Sequence, residues 1–243
     1  MDRVSLITAG GRRLGAAIVR ELHACGDRVI IHCRSSVLEA QALSEELNAL
    51  RNDSAHVLQA DLAQVGEIND LVAAAIKRWG RLDALINNAS TFYPSPVGTV
   101  TETVWDDLIG VNLRAPFFLA QAAKEALSGV NGAIVNIVDI YAERPLEEFP
   151  VYSVAKSALL ALTRSLALEL APEIRVNAVS PGAILWPEQD VQDEVKEKIL
   201  ATIPMGRRGD STDIARTVRF FLKDAPYVTG QVIAVDGGRT LTL

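Results

Sequence analysis

Along the chain, short runs of apolar and β-branched residues alternate with longer stretches whose apolar positions recur every three to four residues. The short runs have the length of strands buried on both faces and the longer ones the period of amphipathic helices. Strict alternation of the two predicts a parallel sheet covered by helices on both sides. Seven strands are expected: "RVSLIT" (3–8), "RVIIHC" (28–33), "AHVLQADL" (55–62), "LDALINNAS" (82–90), "GAIVNIVDI" (132–140), "IRVNAVSPG" (174–182) and "GQVIAVDGG" (230–238).

Helices are expected over "LGAAIVRELHACG", ended by Gly26, and over 36–50 and 65–80. Another spans Thr101 to Leu127, where Gly110 and Pro116 are expected to bend or interrupt it. The stretch 151–171 is apolar around most of its circumference, which predicts burial on more than one side and offers a surface for subunit contact. Residues 183–209 are too many for a simple connection, and a substrate loop or lid is expected at about 183–206. No repeat or linker divides the chain, so one domain over 1–243 is expected. The expected fold is α/β: Rossmann-like and doubly wound, with a mostly parallel seven-stranded sheet that binds ligands outside the carboxyl ends of its strands.

Composition narrows the class. An apolar fraction of 49% supports a sizeable core. A net charge of −6 argues against a dedicated nucleic-acid binder, whose footprint is basic. Cys25 and Cys33 supply neither a disulfide framework nor zinc-site spacing, so no metal is expected. The apolar run at the N-terminus is too short for a signal peptide or membrane span, which leads to the expectation of a cytoplasmic protein without a membrane partner.

"TAGGRRLG", Thr8 to Gly15, stands where the first strand meets the first helix, the place where backbone N–H groups hold a pyrophosphate. Gly10, Gly11 and Gly15 permit close approach, and Arg12 and Arg13 add charge that suits a further phosphate. The competing reading is a tight turn with solvated arginines. The second strand ends in "HCRSS", where enzymes that use NAD place an acid on the ribose hydroxyls. Arg34 instead pairs with a 2′-phosphate and Ser35 or Ser36 donates to it, which favours NADPH over NADH. His32 either contributes or is structural.

Tyr152 and Lys156, four apart at the start of a helix, project from one face. A nearby ammonium favours the phenolate and brings a phenol towards working range. Alone, that spacing is weak evidence. Together with the glycine loop, "NNAS" (87–90), Val111 and Asn112, and "SPG" (180–182), it makes the whole chain resemble a short-chain dehydrogenase/reductase. The resemblance implies Tyr152 as acid/base, Lys156 lowering its pKa and holding the nicotinamide ribose, and Asn112 continuing a proton relay through water. It also implies NADPH/NADP+ contacts at Thr8, Gly10, Arg12, Arg13, Leu14, His32, Arg34 and Ser35, at Asp61, Leu62, Asn88, Ala89 and Ser90, and at Tyr152, Lys156, Pro181 and Gly182, in a homotetramer. Two departures stand out. Asp139 occupies the position of the usual catalytic Ser, and Ala9 and Arg13 occupy two glycine positions of the Thr-Gly-x-x-x-Gly-x-Gly loop.

Within the family, "GRRLG", "HCRSS", the Asp139-to-Tyr152 spacing and "NNASTFYPSP" (87–96) are similar to the pteridine reductases and the related dihydromonapterin reductases. That likeness implies Phe92 stacking a pterin against the nicotinamide, Ser90 on cofactor or substrate, and Arg13 reaching from pyrophosphate to pterin. Phe92 otherwise packs beneath the lid, and Trp186 is either a substrate contact or a lid anchor. An acid at 139 opposes reduction of a ketone, where charge builds on oxygen. It suits reduction of a C=N bond, whose ring edge carries N–H donors; the competing reading has Asp139 pairing with Arg144 or capping a turn. A reductase of 3-oxoacyl thioesters or small ketones and a non-catalytic NADP(H)-binding sensor are the alternatives to a pteridine reductase.

Overall fold

The computed structural model describes residues 2–186 and 192–242. Its seven strands are β1 (Val4–Ile7), β2 (Arg28–Cys33), β3 (Ala55–Gln59), β4 (Ala84–Asn87), β5 (Ala133–Ile137), β6 (Arg175–Pro181) and β7 (Val232–Val235). They form one sheet in the order β3-β2-β1-β4-β5-β6-β7, and every neighbouring pair is parallel. The order reverses between β1 and β4, the switch point where doubly wound sheets bind ligands.

Alternate residues of each strand supply two cores. Val29, Ile31 and Cys33 of β2 face one side and Ile30 the other. On the first side lie α1 (Arg13–Ala24), α2 (Val37–Leu50) and α8 (Ser211–Arg219), through Ile18, Leu43 and Val218. On the second lie α3 (Val65–Trp79), α5 (Ala115–Ser128) and α6 (Pro150–Glu169), through Leu71, Leu119 and Leu166. The apolar stripe of each helix and the unbroken apolar strands thus find each other, and removal of apolar surface from water drives the assembly.

The expected break at Gly110 and Pro116 takes a milder form. α4 (Glu102–Ile109) runs through a π-helical turn, Gly110–Arg114, into α5. Pro116 falls in the first turn of α5, where a missing N–H costs little. The wide turn carries Asn112, whose side chain is fully buried.

α6 is fixed to the sheet by buried polar bonds. Asn87 Nδ2 donates to Asn136 Oδ1 at 2.8 Å, and Asn136 Nδ2 donates to Thr163 Oγ1 of α6 at 2.9 Å. The helix is long and apolar enough to cross a bilayer, yet half of its apolar stretch is buried within the fold. As expected, burial covers more than one side, while Val154 and Leu168 remain exposed. The expected lid contains a helix, α7 (Asp193–Ala201), and residues 187–191 of that expectation lie outside the described residues. α8 opens with a reciprocal cap between Asp210 and Asp213.

Candidate active site

The carboxyl ends of the strands open on a cleft of about 850 Å³. At one end the loop from β1 to α1 folds as the sequence requires. Its two departures from the glycine pattern, Ala9 and Arg13, both adopt φ of 50°, the left-handed region in which glycine is at ease. The conformation of the loop is therefore retained, with strain at two side-chain-bearing residues. At Gly15 no side chain is tolerated: a Cβ there would lie 2.1 Å from Ala9 O and 2.8 Å from Asn88 Nδ2.

Thr8 and Asn88 build the floor of this loop. Thr8 Oγ1 accepts from the N–H groups of Asn88 and Ala89, each at 2.9 Å, and Asn88 Nδ2 donates to Thr8 O at 3.0 Å. Gly10 N donates to His32 O at 2.8 Å. Thr8 and Gly10 thus shape the loop from behind, whereas Arg12, Arg13, Leu14, Asn88, Ala89 and Ser90 line the cleft. No side chain caps the N-terminus of α1, so its first N–H groups are open to an anion.

Arg34, Ser35 and the partly exposed Ser36 line the cleft at the end of β2, beside Asp61 and Leu62 from the end of β3. His32 lines the cleft, with both ring nitrogens engaged within the fold. Its Nδ1 accepts from Ala9 N at 3.1 Å, which assigns the ring proton to Nε2, opposite Ala60 O at 3.1 Å. Burial lowers its pKa and keeps the ring neutral. The open helix terminus, the close approach at Gly15 and a basic, hydroxyl-rich end to β2 fit the pyrophosphate and 2′-phosphate of NADPH.

At the other end, the first two turns of α6 present Tyr152 and Lys156 towards the end of β5. Tyr152 Oη donates to Asp139 Oδ2 at 2.8 Å. Asp139 Oδ1 accepts from Tyr141 N at 2.9 Å and caps a short 3-10 turn, Ile140–Ala142. The acid therefore does two things at once, and its expected alternative partner, Arg144, is exposed and absent from its hydrogen bonds. Lys156 is buried and donates from Nζ to Ile137 O at 3.0 Å. Pro181 and Gly182 complete this wall.

The electrostatics depart from the expectation of an acidified phenol. Burial, and then the Asp139 carboxylate, push Tyr152 well above the usual phenol range, and contact with Ser90 only partly offsets them. Burial lowers Lys156 to about 8, against the pull of Asp139. Burial also raises Asp139, opposed by the Tyr141 N–H, Tyr152, Lys156 and Arg239. Geometry adds to burial at Tyr152: the ammonium lies 5.7 Å from the centre of the ring, while the carboxylate touches its hydroxyl. Tyr152 is accordingly held as a proton donor.

Asn112 stands behind the wall. Its Nδ2 donates to Thr91 O and Leu108 O, both at 2.9 Å, and its Oδ1 accepts from Ser90 Oγ at 2.7 Å. Its side chain holds the Ser90 loop in place. Phe92 is half exposed at the cleft, stacked on Phe149 at 4.5 Å and edge-on to Tyr152 at 4.7 Å. Trp186 also lines the cleft, and its carbonyl accepts from Arg13 Nη2 at 2.9 Å, tying the phosphate loop to the lid. No spacing in the sequence singles out Phe149, Tyr141 or Arg239, which the fold adds to the lining. Phe149, one helical turn before Tyr152, carries the only positional hint.

A wholly parallel doubly wound sheet, a glycine-bounded phosphate loop and a buried Tyr–Lys pair on one cleft define an NADPH-dependent oxidoreductase. Comparison with known proteins places it further. A family profile described as enoyl-(acyl carrier protein) reductase matches residues 9–240. Pteridine reductase 1 of Leishmania tarentolae is 38% identical over 98% of this chain and 96% of its own length. The 3-oxoacyl-(acyl-carrier-protein) reductase of Staphylococcus aureus is 36% identical over 98% of both. A blue fluorescent protein from a metagenomic library, solved in complex with NADPH, superposes with a TM-score of 0.92 at 37% identity, over 98% of this chain and 97% of that one. The chain belongs to the short-chain dehydrogenase/reductase family.

Proposed function

We propose that the protein is an NADPH-dependent pteridine reductase that reduces a C=N bond of a dihydropterin or dihydrofolate ring. The observation that carries this reading is the hydrogen bond from Tyr152 to Asp139 beside the half-exposed face of Phe92. NADPH supplies hydride from its nicotinamide ring when bound. The open N-terminus of α1 binds its pyrophosphate, Arg34 with Ser35 or Ser36 binds its 2′-phosphate, and Lys156 orients its ribose. Tyr152, held protonated, delivers a proton to the ring nitrogen next to the reduced carbon. Asp139 orients that hydroxyl and accepts from the donor edge of the heterocycle. Phe92 offers a π-face to the flat ring, backed by Phe149.

For a ketone, the same carboxylate would face the growing negative charge on oxygen, which disfavours a 3-oxoacyl substrate. A steady-state panel of dihydrobiopterin, dihydromonapterin, dihydrofolate and 3-oxoacyl thioesters with NADPH and NADH tests the reading. Turnover of the thioesters alone would overturn it. The reading extends to a homotetramer, supported by apolar side chains left exposed at Trp105, Phe117, Val154 and Leu168 and testable by light scattering.

A further inference from the structure

Arg239 is a charged side chain that neither the hydride step nor cofactor binding uses. It opens the 3-10 turn Arg239–Leu241, is only 8% exposed, and lines the cleft. Its backbone is held firmly. Asp236 accepts from Gly238 N at 2.9 Å and from Thr240 N at 2.7 Å, and Thr242 Oγ1 donates to Thr202 O at 2.5 Å. Gly237 and Gly238, with φ of 64° and 86°, lie against Ile203 and Pro204 at the base of the lid.

Both of the guanidinium's hydrogen-bond partners are neutral. Nε donates to Thr202 Oγ1 at 3.1 Å and Nη1 to Tyr141 Oη at 3.4 Å, with the Tyr141 ring centre 5.9 Å away. Nη2 donates to no described residue, and no carboxylate among the described residues lies within ion-pair distance, Asp139 acting on the guanidinium only at longer range. A buried cation with neutral partners is costly unless a ligand brings the counter-charge, and the guanidinium fork matches a carboxylate. Position excludes the cofactor phosphates as that ligand. Arg239 follows β7 at one edge of the sheet, whereas Arg34 ends β2, on the opposite side of the switch point.

We propose that Arg239 is a specificity-determining residue that receives a carboxylate on the tail of the substrate, so that the protein favours pteridines of the folate type over those with neutral hydroxylated tails. The inference rests on the pteridine reading of the site. Asp139 on the ring and Arg239 on the tail then divide recognition: the carboxylate takes the donor edge of the heterocycle, and the cation takes the anion carried beyond it. Tyr141 joins the two, since its N–H binds Asp139 and its hydroxyl accepts from Arg239.

The test is the ratio of kcat/KM for dihydrofolate to that for dihydrobiopterin, with saturating NADPH. In Arg239→Gln, which keeps polar bonding and removes charge, the ratio should fall about tenfold or more, mainly through KM for dihydrofolate. Arg239→Lys, which keeps charge but loses the fork, should fall in between and decides the matter if the Gln variant does not fold. A ratio within about twofold of the unmodified protein, or a parallel loss of kcat on both substrates, would overturn the inference and leave Arg239 as a support of the lid base. Failure of the unmodified protein to reduce either pteridine would instead overturn the pteridine reading and this inference with it.

Discussion

The Tyr152 hydroxyl spends its proton on Asp139, 2.8 Å away, and the Lys156 ammonium spends one of its own on the Ile137 carbonyl, 3.0 Å away. The phenol is thereby set as a donor by the acid thirteen residues before it. Replacing that acid, Asp139→Ser, should reduce dihydropterin turnover by about a hundredfold while the NADPH dissociation constant stays within about twofold. Steady-state kinetics and NADPH fluorescence titration check it. Undiminished turnover would remove Asp139 from the chemistry.

Cofactor choice rests on Arg34. In Arg34→Ala the affinity for NADPH should drop about tenfold or more while that for NADH moves little, because a charge-assisted bond to the 2′-phosphate exists only with the former. Equal losses for both cofactors, measured by titration, would contradict the assignment.

Burial of Lys156 makes a statement about pH. Its folded value of about 8 lies below the ordinary 10.5, so below pH 8 the folded state bears the whole cost of a buried ammonium, on the order of 3 kcal/mol. Between pH 8 and 10.5 only the unfolded chain keeps that proton, and this contribution makes folding more favourable as pH rises. The unfolding temperature of cofactor-free Lys156→Met, relative to the unmodified protein, should therefore be highest below pH 8 and decline towards pH 10. On the same ground, kcat/KM for NADPH should show an alkaline limb near 8, the group being needed in its charged form.

Two backbone positions make opposite forecasts. Gly15→Ala would force a Cβ into Ala9 O and should abolish NADPH binding. Ala9→Gly relieves a residue held at φ of 50° and should stabilise the chain by about 0.5 kcal/mol. Thermal unfolding and titration of both variants measure the difference.

The strands were legible because each is an apolar run flanked by turn residues, and β2 falls on the predicted residues 28–33. α7 and α8 were not foreseen as helices: each has nine residues, and α7 buries none of them. In the site, Tyr152, Lys156 and Asp139 were readable through the family resemblance and Arg34 from its position at the end of the second strand. The direction of the Tyr152 shift was not, since it depends first on how deeply the hydroxyl is buried and then on which of two charged neighbours touches it. Arg239 reaches the cleft only through tertiary packing, which no local pattern encodes, and Phe149 is hinted at solely by its place one turn before Tyr152.

With all seven strands parallel, the opposite rim of the sheet has its own character. There, buried and half-buried charges act as rivets: buried Asp27 binds Ser5 at 2.7 Å and Lys223 at 2.6 Å, buried Asp83 accepts from Val4 N at 2.8 Å, and half-buried Arg175 donates to the carbonyls of Phe221 and Ala225 at 2.7 and 3.0 Å. The molecule is thus polarised along its strands, one rim committed to turnover and the other to endurance. Neutralising a charge at the second rim should surface as lost yield and lower heat tolerance with Michaelis constants intact, so the two rims offer separate handles for altering what the protein does and how long it lasts.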